Sequence, residues 1–244
     1  MSETVTVNLQ GTPVTVPVEG LFTGSFDLRF TTFYNRRPTS LLNQLCDKYG
    51  SDKGEIVSEG HPYRWASHSY ADFVERLFGH CREHVRSVFE CGLGTNNPAL
   101  KSSMGVNGRP GASLRVWRDY FPNARVWGAD IDRDILFEEE RIATHYCDQT
   151  DPEAIRALWA EIPDVAFDLM IDDGLHTYEA GVSLFEGSIH RLRTGGVYII
   201  EDVTLDSMLR FAKYFAATDY AFELVTLYRK TARLGDNNLV VIRK

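Results

Sequence analysis

Two apolar runs in this chain stop abruptly on paired acids. Leu169-Met170-Ile171 ends at Asp172-Asp173, and Gly174 and His176 follow. Val197-Tyr198-Ile199-Ile200 ends at Glu201-Asp202. A buried carboxylate without a partner carries a large desolvation penalty, so such acids do not belong inside a core. They fit at the carboxyl ends of parallel strands, where open α/β sheets leave a crevice for ligands. Two strand ends rich in acids, with a histidine beside them, suggest a site for a hard cation, which prefers carboxylate oxygens.

The rest of the chain supplies the alternation such a sheet needs. The strand Val88-Phe89 leads into Glu90-Cys91-Gly92-Leu93-Gly94, a polar loop from Thr95 to Gly111, and a helix over Ala112–Phe121. A second strand, Arg125–Ala129, ends at Asp130. The spacing predicts a helix over Asp134–Ile142 and a short strand ending at Asp148-Gln149. Helices over 152–161, 178–192 and 205–217 alternate with strands 167–171 and 197–200. Phe222–Tyr228 and Leu239–Ile242 close the chain as an antiparallel edge hairpin. The reading is an α/β fold with a mostly parallel, Rossmann-like sheet, helices on both faces and right-handed crossovers.

Upstream of this unit, Thr4–Leu9 and Val14–Val18 alternate as a β-hairpin with its turn near Gly11. Pro13 and Pro17 suit edge positions. Residues 19–37 hold five aromatics without a clean period, which reads as a packing or dimer-contact segment. Helices are expected over 39–49, capped by Thr39 or Ser40, and over 68–86. The expected division is an N-terminal hairpin and helical extension at 1–84, serving as a cap or oligomer contact, followed by the main domain at 85–244.

A chain of 244 residues buries about 70–75% of its unfolded surface, so folding needs neither a metal nor disulfides. A metal here would serve function. The net charge of -8 argues against a nucleic-acid backbone as partner. No run of 18 apolar residues indicates a membrane span. The N-terminus lacks the charged and apolar regions of a signal peptide. Cys46, Cys81, Cys91 and Cys147 are scattered, with no Cys-x-x-Cys pair. The expectation is a cytoplasmic protein with free thiols. The N-terminal hairpin and aromatics suggest a homo-oligomer.

Glu90-x-Gly92-x-Gly94 after a strand allows a tight turn and close approach of the backbone to a ligand. Asp130 could accept hydrogen bonds from ribose hydroxyls. A dinucleotide site fits poorly: the third glycine is missing, and Asp130 lies well beyond the roughly 20 residues expected. An acid before the first glycine, with acids ending strands two and three, resembles the class I S-adenosylmethionine-dependent methyltransferases over roughly residues 85 to 244. The resemblance implies that Gly92 and Gly94 line the methionine half of S-adenosylmethionine and that Glu90 lies below the glycine turn. It implies that Asp130 holds the ribose and that Asp148-Gln149 sit near the adenine. Asp172 is a candidate cofactor contact, and Lys53, Tyr63 and Tyr70 could close over the cofactor.

A closer resemblance runs through four segments: Cys46–Gly54, Gly111–Pro122, Ile171–His176 and Glu201–Val203. Together they are similar to the metal-dependent O-methyltransferases that act on sugars of macrolides and other glycosylated natural products. The resemblance implies that Asp173, Glu201 and Asp202 hold Mg2+ and that His176 is the base. The acceptor would be a hydroxylated small molecule, a sugar or glycoside. The polar insert at 95–111 departs from that pattern.

The chemistry asks for these residue types on its own account. A sugar hydroxyl is a poor nucleophile at neutral pH; a cation lowers its pKa, and an imidazole with a pKa near 6.5 suits the proton. Plainer readings stand beside these. The acid pairs could cap the helices that follow them, and His176 could be a solvated first-turn residue. His61, His68, His80, His84, His145 and His190 lack ligand spacing and read as ordinary surface or boundary residues. Glu138-Glu139-Glu140 reads as a solvated helix face. Three rival functions stay open: a metal-independent methyltransferase, a non-catalytic cofactor-binding protein, and a dinucleotide oxidoreductase.

Overall fold

The computed structural model describes residues 4–9, 12–17, 30–33, 39–57, 62–63, 65–229 and 234–244. Strands β1 (Thr4–Leu9) and β2 (Thr12–Pro17) pair antiparallel, as their alternation predicts. Among the described residues, nine further strands make one sheet. They are β3 (Phe30–Phe33), β4 (Ser87–Cys91), β5 (Arg125–Asp130), β6 (Glu138–Glu139), β7 (Ile142–Tyr146), β8 (Phe167–Asp172), β9 (Leu192–Ile200), β10 (Ala221–Leu227) and β11 (Asn238–Arg243). The helices are α1 (Leu41–Tyr49), α2 (Tyr70–Phe78), α3 (Ala112–Tyr120), α4 (Pro152–Glu161), α5 (Tyr178–Ser188) and α6 (Leu205–Phe215).

The spatial order is β3-β10-β11-β9-β8-β4-β5-β7-β6. The central strands β9, β8, β4, β5 and β7 run parallel. β11 joins β9 antiparallel, and β10 pairs antiparallel with β11. The chain runs outward from β4 through β5 and β7, then returns to the opposite side of β4 with β8. That reversal between β4 and β8 is where an open sheet leaves its ligand crevice.

Period-two alternation sorts the strand side chains between two cores. Leu169, Ile171, Ile199 and Val241 pack with Leu42, Phe73 and Trp117 from α1, α2 and α3. Met170, Tyr198, Ile200 and Val240 pack with Trp159, Leu184 and Phe211 from α4, α5 and α6. Burial of each large apolar side chain contributes about 1.5–3 kcal/mol. The two helices from the segment before residue 85 therefore share a core with the sheet.

Local signals set the helix boundaries. Ser40 Oγ accepts the Asn43 N–H at the start of α1 (3.3 Å). Asp151 accepts the Glu153 N–H (2.9 Å), with Pro152 in the first turn of α4. Three regions differ from the sequence expectation. The helix expected over 68–86 ends at Phe78, and a 3₁₀ turn at Arg82–His84 follows. The helix expected over 134–142 is a 3₁₀ turn at Arg133–Ile135 and the β6–β7 hairpin. There Phe137 N–H donates to Thr144 Oγ1 (2.5 Å), and Arg141 turns the chain back at a φ of 61°. The acids of this stretch are exposed as expected, but they line an edge strand; Glu139 pairs with Arg115 at 2.6 Å. Residues 30–33, inside the stretch without a clean period, form β3 and pair parallel with β10.

α1 is pinned to α3 through Asp119, whose carboxylate accepts from Tyr49 OH (2.5 Å), Lys48 Nζ (3.2 Å) and Arg118 Nε (2.8 Å). Partial burial opposes the charge, but these hydrogen bonds hold the carboxyl down at about 2. A depressed acid contributes stability above its ordinary pKa of 3.8, and that contribution is lost as pH falls through about 2. Asp119→Asn is expected to lower stability by about 1 kcal/mol at neutral pH. It should also flatten the fall in melting temperature between pH 4 and 2, read by thermal denaturation across that range.

Candidate active site

The crevice is built first from backbone. After β4 the chain turns at Gly92 (φ 96°), whose N–H donates to Ala129 O at 2.8 Å. A Cβ at Gly92 would lie 2.0 Å from Asp173 O, so only glycine lets this turn nest against the end of β8. Asp173 N–H donates to Cys91 O at 2.8 Å. Asp130 fixes the turn from the other side, accepting from Leu93 N (2.7 Å) and Asp132 N (2.8 Å).

A cleft of about 920 Å³ opens above this turn. Eleven of the residues singled out in the sequence border it: Lys53, Tyr63, Tyr70, Gly92, Gly94, Asp130, Asp148, Gln149, Asp173, His176 and Asp202. Three do not. Glu90 is fully buried beneath it, accepting from Ser113 Oγ (2.5 Å) and from Trp117 Nε1. Asp172 and Glu201 border a smaller adjoining space of about 250 Å³. Asp172 Oδ1 accepts from Gln149 Nε2 (3.0 Å), while Gln149 Oε1 accepts from Leu175 N (2.7 Å). Asp172 and Gln149 therefore hold the loop that carries Asp173. Burial raises the Asp172 carboxyl to about 6.

The strand-end acids do not cap the helices that follow. Thr177 caps α5, accepting from Ala180 N, and Thr204 caps α6, accepting from Ser207 N (both 3.3 Å). The acids are left to one another. Asp173, His176 and Asp202 each offer a ligand atom, and these atoms lie within 4.8 Å of one another. His176 Nε2 is 3.3 Å from Asp173 Oδ1 and 3.4 Å from Asp202 Oδ2. His176 (φ 57°) and Asp202 (φ 52°) are both left-handed. Such backbone costs a non-glycine residue about 1–2 kcal/mol and clusters at functional sites.

Glu201 points elsewhere. Its Oε2 contacts Lys53 Nζ, and its Oε1 is buried with no hydrogen-bond partner. Lys53, only 3% exposed, also meets Asp173 Oδ2 at 2.5 Å and faces Glu90 Oε1 at 3.7 Å. Burial opposes the Lys53 charge, yet these three acids hold its pKa well above the usual lysine range. One ammonium does not balance three carboxylates, two of them fully buried, and burial pushes both Glu90 and Glu201 upward. Asp202 is also raised by burial, although Tyr70 OH donates to its Oδ1 (2.5 Å) and His68 Nε2 lies 3.3 Å away. The cluster is short of positive charge, and the unpartnered Glu201 Oε1 points to a missing ligand. A divalent cation fits that donor set.

His68 is a correction to the sequence reading. It is 7% exposed and faces Asp202, where the sequence suggested an ordinary surface or boundary histidine with no part in the site. Its distance along the chain from Asp202 hides the contact. Lys53 and Tyr70 were visible only as residues that could approach the cofactor. The 95–111 insert forms a wall of the cleft with Ser102, Met104 and Arg109.

The strand order and the place of the cleft decide the architecture. The fold is that of the class I methyltransferases. In agreement, the structure matches a MycE methyltransferase from the mycinamycin biosynthetic pathway, solved in complex with Mg and SAH. The TM-score is 0.59 and the identity 22%, over 84% of this chain and 55% of the other. No protein-family model matches the chain. Its curated relatives are sugar O-methyltransferases. One, 8-demethyl-8-alpha-L-rhamnosyl tetracenomycin-C 2'-O-methyltransferase of Streptomyces olivaceus, is 33% identical over 66% of this chain. Mycinamicin VI 2''-O-methyltransferase of Micromonospora griseorubida is 36% identical over 69%. The chain spans only 37% of the length of each of these two relatives.

Gly92→Ala tests the packing of the turn. Chemical denaturation should show a loss of more than about 3 kcal/mol, from the clash with Asp173 O and the left-handed backbone.

Proposed function

We propose that the protein is a metal-dependent O-methyltransferase that moves the methyl group of S-adenosylmethionine to a hydroxyl of a sugar or glycosylated small molecule. One observation carries this reading: Asp173, His176 and Asp202 converge at the cleft beside the glycine turn. S-adenosylmethionine supplies an activated methyl carbon, and a divalent cation such as Mg2+ lowers the pKa of the acceptor hydroxyl.

The chain's own residues do the rest. Gly92 and Gly94 let the backbone approach the methionine half, Asp130 faces the ribose, and Asp148 and Gln149 border the adenine end. Tyr63 walls the cleft, its hydroxyl donating to Gly50 O at 2.5 Å. Glu90 supports the glycine turn from below. Asp173, Glu201 and Asp202 would hold the cation, with Asp172 keeping the Asp173 loop in place. His176 takes the acceptor's proton at Nε2. Its neighbours Asp173 and Asp202 push its pKa up to about 10 against the effect of burial. The same carboxylates would hold the cation, and carboxylates shared with a cation would hold the imidazole proton less firmly, so that Nε2 could take the acceptor's proton.

The segment through residue 84 belongs to the same proposal as a cap, because it brings Lys53, His68 and Tyr70 to the cleft. A homo-oligomer built through that segment is part of it, and sedimentation of the whole chain reads this directly. Among the described residues no helix is long and apolar enough to cross a membrane. Four free cysteines fit a reducing cytoplasm.

The test is calorimetric titration of Mg2+ into chelator-stripped protein saturated with S-adenosylhomocysteine. Binding is expected in the wild type and absent in Asp173→Ala. His176→Ala should lower turnover of a rhamnosylated acceptor by at least about 100-fold, with S-adenosylhomocysteine affinity unchanged. Unaltered turnover would remove His176 from the chemistry. The Lys53 contacts favour a second reading, in which an ammonium replaces the metal; methyl transfer undiminished by a chelator would select it.

A further inference from the structure

Lys53 sits where the three acids that end β4, β8 and β9 come closest, yet the proposed reaction gives it no role. Its loop is fixed on both sides: Ala71 N–H donates to Lys53 O (2.8 Å) and His68 N–H to Asp52 O (2.7 Å). The side chain is 3% exposed, and Glu90 and Glu201 are 0% and 1% exposed. A buried ion pair is weak evidence for stability, because well-packed apolar residues of similar volume often serve a fold as well. The arrangement connects two parts of the site. Glu201 and Asp173 belong to the cation's donor set. Glu90 belongs to the glycine turn and is tied to α3 through Ser113 and Trp117.

Resting on the proposed function, we propose that Lys53 is a positioning residue that couples the cation's site to the cofactor's. Its ammonium holds Asp173 and Glu201 in place while no cation is bound. When those acids take up a divalent cation, the ammonium loses them as partners and turns to Glu90. Glu90 Oε1 is already 3.7 Å away, so a move of about 1 Å gives a charge-assisted contact of about 2.8 Å. A firmly paired Glu90 fixes the glycine turn and the start of α3, where the cofactor lies. Cation and cofactor therefore each tighten the binding of the other. Before a cation arrives, Glu201 Oε2 contacts Lys53 and Oε1 is buried and unpartnered, which leaves Oε1 as the atom a cation would meet first.

The experiment is a thermodynamic cycle by calorimetry on the full chain. Mg2+ is titrated with and without saturating S-adenosylhomocysteine, and S-adenosylhomocysteine with and without saturating Mg2+. In the wild type each ligand should tighten the other by the same factor, fivefold or more. In Lys53→Met both ligands should still bind and the factor should fall to about one. A purely structural role would weaken both affinities and leave the factor intact. Glu90→Gln keeps the ammonium but removes its second anchor, and it should abolish the factor too; it decides alone if Lys53→Met does not fold. A factor that survives in a folded variant, or is absent from the wild type, overturns the role of Lys53 only. A wild type that binds neither ligand overturns the proposed function and the coupling with it.

Discussion

Three strands deliver carboxylates to one place at the floor of the cleft, and one buried ammonium answers them. Glu90, Asp173 and Glu201 come from β4, β8 and β9, neighbours around the point where the sheet reverses its order. Lys53 comes from the loop between α1 and α2. The N-terminal helices are thereby fastened to the sheet by apolar packing on one side and by charge on the other. Removing a single partner would strand a buried charge, which typically costs 3–5 kcal/mol. The loop after α1, the glycine turn and the Asp173 loop are therefore held in register by a single electrostatic knot.

Much of this was legible in the chain. Apolar runs ending in acids locate the strand ends, because a core does not tolerate such residues. Gly92 was legible as a tight-turn residue, but the sequence read its missing Cβ as room for a ligand, and the structure shows the Asp173 backbone against it. The two cores follow from alternation along β8, β9 and β11. Other features were hidden for physical reasons. The β6–β7 hairpin depends on the side chain of Thr144 and the left-handed Arg141, neither of which shows in an apolar pattern. β3 is short and lies at the sheet's edge beside β10. The contacts of Lys53 and His68 join residues far apart in the chain, and no local spacing encodes them.

The capping threonines separate two duties that the sequence left entangled. An acid just before a helix satisfies either the helix N-terminus or a ligand, but it cannot do both well. Thr177 and Thr204 take the first duty, and that leaves Asp173, Glu201 and Asp202 available for the second, with Asp172 holding their loop. The left-handed backbone at His176 and Asp202 points the same way. These residues are held in sparsely populated conformations by the packing around them, and their side chains face each other as a result.

The loop from Thr95 to Gly111 settles its polar groups largely among its own atoms. Asn96 Nδ2 donates to Gly105 O (2.7 Å) and Gly108 O (2.9 Å), and Met104 N–H returns to Thr95 O (2.8 Å). It begins and ends beside the glycine turn, with Gly111 N–H bonded to Leu93 O at 2.7 Å. A segment closed in this way is modular. Each doubling of a loop's length adds only about 0.6 kcal/mol of closure entropy, so evolution can extend, trim or exchange it without refolding the sheet. A change in this wall would alter the shape of the cleft while leaving the residues at the strand ends in place.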